Sequence, residues 1–308
     1  MIYVHQPQLP ITYAQLYFST YLSSSNSSKN ELRGVSPAIR ILTQRQLQRG
    51  TKRATRDHFI NDIESLGTEL QMTHRGYSHS VGAVVLSRTL PQLTALLEEA
   101  LTSPRFDEDE VEQSKRAYIA ELEARYDDDH SLAWLWLSRR LHINHPLWHH
   151  YSIERDQVEA ICTDDLKKAW GQVFSPNALL PCFTSDLSKA EISDLVDPLK
   201  NALNHTSNQS PWQPIKLPIL PPITHTTLTL IHKPAKQQAL LFIAHPTLPP
   251  QHPQALALYV ALCALGGTFS SPLMQEVRNK RGLSYGAHAG IRGEAQSRFV
   301  CLHTTPDA

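Results

Sequence analysis

Residues 265–289 read LGGTFSSPLMQEVRNKRGLSYGAHA. Gly266 and Gly267 follow residues 253–265, a helical stretch that is apolar on most sides. Ser270 and Ser271 follow. The amphipathic pattern of residues 272–281 then predicts a second helix, and residues 284–291 read as a strand. Residues 299–304 predict a closing strand, and residues 226–232 and 238–244 two more upstream. The order is strands, helices, hairpin.

The first part of the chain has the same order. Residues 11–23 predict a strand rich in Tyr, Phe and Thr, followed by helices over 37–49 and 56–66, with Thr55 placed to cap the second. Strands over 68–73 and 78–87 flank Gly76 as a hairpin. A helical stretch runs from Pro91 past Trp136 in more than one piece. In it Val111, Tyr118 and Leu122 share a face with Ile119 at its edge, and the acids at 107–110 suit the first-turn dipole. Residues 164–173 and 187–203 predict further helices, and 179–183 a short strand. Residues 204–222 are rich in Pro and Ser and lack a period, the pattern of a linker. The expected organisation is α+β. An N-terminal domain (1–203), a linker (204–224) and a partial C-terminal domain (225–308) make two homologous domains, each an antiparallel sheet packed with helices, the second truncated.

Composition narrows the function. Lys plus Arg and Asp plus Glu both number 29, so no net charge favours nucleic acid or an anionic membrane as partner. The longest apolar run, residues 255–265, is about half of what a bilayer-spanning helix needs, so no transmembrane segment is expected. Residues 1–10 carry neither a basic nor an apolar stretch of a signal peptide. The compartment stays open, cytoplasmic as written and periplasmic if a signal peptide is missing upstream. Cys162, Cys182, Cys263 and Cys301 form no CxxC pair, which argues against a disulfide framework or an all-cysteine zinc site.

The segment 265–289 resembles the second-domain signature of the M16 (pitrilysin/insulinase) metallopeptidases and their mitochondrial processing-peptidase relatives. In that family a GG turn and Ser precede a helix ending in R-x-x-x-G-L-x-Y. Here the matching residues are Gly266, Gly267, Ser270, Ser271, Arg278, Gly282, Leu283 and Tyr285. Earlier residues are similar in order as well: Gly34, Gly50-Thr51, Leu66-Gly67, Pro104 with Phe106, His145-Pro146, Ile161 with Asp165-Leu166, and Pro176-Asn177. The resemblance implies bacterial chambers built from two chains, in which one subunit carries HxxEH and the other supplies the Arg/Tyr pair. It implies that Arg278 and Tyr285 contact the substrate backbone and the oxyanion of the tetrahedral intermediate.

The family's zinc site needs two His on one helical face, a Glu between them as general base, and a third carboxylate ligand from a later helix. Counting back from Gly50 places the motif at residues 41–45, where Ile41, Gln44 and Arg45 stand at the ligand and base positions. Ile41 has no lone pair, Gln44 cannot act as a base, and Arg45 would set a cation against a dication. No His, Asp or Glu occurs anywhere from Leu32 to Arg56, so a shift of register restores nothing. The third-ligand position falls on Glu121, a single carboxylate that cannot hold zinc. No metal, cofactor or catalytic residue is expected.

Other constellations favour bland readings. In the stretch at 142–150 (HINHPLWHH), Pro146 disfavours the helix that would aim His145 and His149 together, so a solvated or capping cluster is expected. No GxSxG elbow occurs, and Gly266-Gly267-Thr268 has no GK[ST] after it. The run 33–56 holds seven Lys or Arg and no acid, which by default is a solvated helix face. The expected function is that of a non-catalytic M16-like subunit. It would bind extended peptide along a sheet edge and lend Arg278 and Tyr285 to a zinc-bearing M16 partner. The alternatives are a self-dimer or structural subunit with no role in proteolysis and, against the sequence of 32–56, an active zinc peptidase.

Overall fold

Burial with period two builds the first sheet. Along Ile11–Ser19 (β2), Thr12, Ala14, Leu16 and Phe18 point into the core while Tyr13 and Tyr17 face out. The computed structural model describes residues 1–19, 35–76, 78–206, 220, 223–234, 236–293 and 297–306. Gly34, residues 20–23 of the expected first strand and most of the expected linker lie outside the described residues.

In chain order, β1 (Ile2–His5) and β2 precede α1 (Pro37–Arg45) and α2 (Arg56–Ser65). The hairpin of β3 (Gln71–Arg75) and β4 (Ser78–Leu86) leads to α3 (Leu90–Thr102), α4 (Glu108–Asp127) and α5 (Asp129–Leu141). Then come α6 (Trp148–Tyr151), α7 (Arg155–Glu159), α8 (Thr163–Val173), β5 (Leu179–Ser185) and α9 (Lys189–Thr206). The last elements are β6 (Leu241–Pro246), α10 (Ala255–Gly266), α11 (Pro272–Met274, continued as a π-helix over Gln275–Lys280), β7 (Ser284–Arg292) and β8 (Phe299–Pro306).

The chain forms two compact units. The first, Met1–Ala120 with Ile153–Ile215, holds a five-stranded sheet in the order β1-β5-β2-β4-β3. Leu16, Phe18, Val81 and Val85 on its inner face meet Leu90, Leu93, Leu97 and Leu101 of α3. Ile192, Val196, Leu199 and Leu203 present one helical face of α9 to the same core. The sheet is mixed: β1 pairs parallel with β5, Ile2 opposite Cys182. That corrects the expectation of a purely antiparallel sheet. A four-residue strand at the start of the chain carries too little pattern to be read from sequence.

The second unit, Glu121–Ser152 with Lys216–Ala308, holds an antiparallel sheet in the order β6-β8-β7. Trp134 of α5 lies 6.0 Å from Phe242 and 5.8 Å from Phe299, and Leu220, inside the expected linker, is buried with them. Three expectations change. Residues 226–232 form no strand. Their alternation is real, but Leu228 and Leu230 both face solvent, 85% and 86% exposed. Thr55 occupies the N-cap of α2, but its hydroxyl meets the His58 ring at 3.1 Å and caps no backbone N–H. The helix expected over 37–49 ends at Arg45 and tightens into a 3-10 turn over Gln46–Gln48. Val111, Tyr118 and Leu122 are buried on α4, as their spacing predicts.

Candidate functional site

At the N-terminus of α1, Pro37 stands in the first turn and the Ser36 hydroxyl accepts from Ile39 N at 3.2 Å. The helix is amphipathic in an uncommon sense, because its buried side includes Arg40, Thr43 and Gln44 beside Ile41 and Leu42. Gln44 Nε2 donates to Thr73 O at 3.1 Å and Ser80 O at 3.0 Å. Arg40 Nη2 donates to Gly76 O at 3.0 Å. The Arg45 guanidinium lies over the Tyr118 ring, 4.9 Å from its centroid. The helix face that would carry a zinc motif is thus given over to tying α1 to the β3–β4 hairpin and to α4. Glu121 is an exposed residue of α4. No cluster of three or more His, Cys, Asp or Glu able to hold a metal occurs among the described residues.

The basic run at 33–56 is only in part a solvated face. Arg40 is buried, Arg45 is stacked, and Arg49 Nη1 pairs with Glu110 Oε2 at 2.8 Å and with Gln113 at 2.6 Å. Lys52 and Arg53 are exposed. The histidine stretch also departs from the expectation of solvation. His142 and His145 are buried in the second unit, the His142 ring near Ser138 O at 2.7 Å and His145 Nδ1 accepting from Leu147 N at 3.2 Å. Burial holds His142 at about 4, below the usual imidazole range, with the neighbouring His145 adding to the depression and the Ser138 carbonyl opposing it.

The glycines of the 265–289 segment have steric reasons. α10 ends where it meets β7. A Cβ on Gly266 would lie 2.6 Å from Ala289 N, and one on Gly267 would lie 2.8 Å from Cys263 backbone. The Ser271 hydroxyl then accepts from Met274 N at 3.5 Å to start α11. The expected helix over 272–281 is one α-turn followed by π-helix, a widening that the i+3/i+4 pattern does not distinguish from α. Gly282, at φ +63°, stops it. Gly282 N bonds Arg278 O, and Leu283 N reaches back to Val277 O at 2.9 Å.

Arg278 sits within the π stretch. Its Nη1 donates to Tyr285 O at 3.1 Å, and its guanidinium lies over the Phe269 ring, 4.6 Å from the centroid. The Tyr285 side chain, by contrast, is 82% exposed. The two residues that the sequence singles out are brought together, linked through the Tyr285 carbonyl. Sequence reasoning missed Phe269, whose only signal is an aromatic two residues past the glycine pair.

A second surface was not legible in advance. The outer face of the first unit's sheet exposes Ile2, Val4, Tyr13, Tyr17 and Val84 around a concavity of about 410 Å³. The Tyr-rich composition of residues 11–23 predicts a strand, but not which of its side chains line an outer concavity shared with β1 and β4.

Comparison with known proteins agrees with this geometry. The profile described as Insulinase (Peptidase family M16) matches residues 33–147, and that described as Peptidase M16 inactive domain matches 161–308, between them most of the chain. The non-peptidase homolog YmxG of Helicobacter pylori is 26% identical over 289 residues, covering 94% of this chain and 64% of its own length. An uncharacterized zinc protease of Streptomyces coelicolor is 23% identical, covering 87% of this chain and 58% of its own. The chain therefore spans less than two thirds of the curated relatives it matches. Among solved structures, the peptidase M16 inactive domain from Pseudomonas fluorescens superposes with a TM-score of 0.85 at 22% identity, over 99% of this chain and 71% of that one. The first half of the periplasmic protease PqqL from Escherichia coli superposes with a TM-score of 0.70 at 17% identity, over 100% of this chain and 65% of that one. The chain belongs to peptidase family M16, and it is a non-catalytic member whose zinc-motif helix carries no metal ligand.

Proposed function

We propose that this chain is the substrate-holding half of a two-subunit M16 assembly. It binds extended peptide through Arg278 and Tyr285 and sets it before the metal of a zinc-bearing partner. The observation that carries the reading is the Arg278 arrangement. A guanidinium fixed by one hydrogen bond to a backbone carbonyl keeps its other N–H donors available, beside an exposed phenol. Such planar donors suit a peptide carbonyl or a developing oxyanion. The α1 face, filled by Gln44 and Arg45, supports assigning the metal to another chain.

The test is purification of the protein from its native host with identification of what accompanies it. Recovery of a one-to-one chain bearing HxxEH supports the reading, and Arg278→Ala should then reduce cleavage by the pair about tenfold or more, in line with loss of an oxyanion donor. Recovery of self-dimers alone, or an Arg278→Ala pair that cleaves normally, overturns it. The apolar outer face of the first unit's sheet favours a second reading, a structural subunit with no role in proteolysis, for which self-dimers are the expected result.

A further inference from the structure

We propose that Phe269 is the positioning residue for Arg278, an aromatic shelf that fixes the plane in which the guanidinium meets a bound peptide; this deepens the peptide-binding reading above and rests on it. Phe269 lies just past the Gly266-Gly267 turn and ahead of the Ser271 cap, so the backbone on both sides of it is fixed. Its ring is 63% exposed yet lies under the Arg278 guanidinium at 4.6 Å. A large apolar side chain left that open gains little from burial, and its contact with Arg278 is the interaction that accounts for its place. The ring face carries negative charge density, which attracts the cation and leaves the in-plane N–H groups unblocked.

The Tyr285 carbonyl constrains the same guanidinium at Nη1, 3.1 Å away. One hydrogen bond alone leaves the plane free to swing about it. Adding the shelf beneath removes that rotation. The remaining N–H donors then point in a set direction, as a planar donor pair must in order to engage a carbonyl or carboxylate. The surroundings add net positive charge. Glu276 is paired to both Lys280 (3.0 Å) and Arg281 (2.9 Å), so the turn carries more cation than anion. An acidic peptide segment is therefore the preferred occupant.

The experiment uses the full chain and a fluorescein-labelled, proline-free acidic peptide, with affinity read by anisotropy. Arg278→Ala should abolish most of the binding. Phe269→Leu keeps an apolar side chain but removes the ring face, and should weaken binding about threefold to fivefold, the scale of an exposed cation–π contact. Phe269→Trp, with a stronger ring, should restore it. Leu and Trp variants that bind alike, with Arg278→Ala still impaired, overturn the role of Phe269 and leave the peptide site standing. An Arg278→Ala variant that binds as wild type overturns the site and the shelf together. The high exposure of Phe269 keeps the fold out of the comparison, and unchanged circular dichroism of the Leu variant checks this.

Discussion

Gln44 shows how one residue decides what a helix can do. Its amide donates to two carbonyls, Thr73 O and Ser80 O, and it is buried where it does so. A neutral donor is required there, because a carboxylate would face two oxygens without a proton to share. Gln44→Ala should cost about 1–3 kcal/mol in urea unfolding, the range for stranding buried polar partners. Gln44→Glu, which restores the family's general base at nearly the same volume, should cost more than Ala at pH 7. The gap should close below about pH 5, where the carboxyl protonates and donates again. A Glu variant as stable as wild type at pH 7 would show that the face is wetter than the geometry says. The same face sets an expectation for metal: after dialysis against zinc, elemental analysis should find well under one zinc per chain, and a stoichiometric, tightly held ion would overturn the non-catalytic assignment. This much was legible in the letters, since a run without His, Asp or Glu cannot be rescued by folding. The partners of Gln44 were not, because they lie on strands about 30 residues away whose register only the fold supplies.

At the scale of elements, the two glycine sites of the 265–289 segment separate close approach from backbone conformation. Gly266 has an ordinary φ but no room, its virtual Cβ clashing with Ala289 N and Ala289 Cβ. Gly282 has room on every side but a left-handed φ of +63°. Gly282→Ala should therefore cost only about 1–2 kcal/mol, the left-handed penalty of one L-residue. Gly266→Ala must push α10 away from β7 and should cost upwards of about 2 kcal/mol, with visible shifts of β7 amides in NMR spectra. Equal losses would mean that α10 is free to slide. The glycines were legible as punctuation, and so was each major strand or helix around them. The π-turn was not, for a physical reason: side chains that repeat on one face at i+3 and i+4 satisfy α and, over six residues, π alike. The absence of a strand at 226–232 escaped for a different one. Alternation reports that a segment is able to pair, while pairing also needs a neighbour with free backbone groups.

On the scale of the whole molecule, contiguous sequence is a poor guide to what packs with what. Residues Glu121–Ser152 join the second unit although they precede the end of the first, and the division falls inside α4, a helix whose pattern runs on without a break. Each unit also encloses a histidine that burial favours in its neutral form, which couples stability to pH. His79 in the first unit stacks on Phe18 at 5.3 Å and meets Phe174 edge-on, and burial, with Arg40 nearby, depresses it to about 3. His142 in the second unit is held near 4 chiefly by burial. Both values lie below the unfolded value of about 6.5, so between these limits the unfolded chain binds more protons than the folded one. Stability from these sites is full above about pH 6.5 and falls as pH drops, by about 3 kcal/mol for His142 once pH passes 4. His79→Phe preserves a stacked ring and removes the titration. His142→Phe does the same at the cost of the contact with Ser138. Urea midpoints measured at pH 7 and pH 5 should fall steeply in the wild type and less in each variant. The loss should be least in the double variant, because the two sites lie in different units and their effects add. A double variant as acid-sensitive as the wild type would place the proton uptake elsewhere, on histidines such as His303, whose depression also comes first from burial.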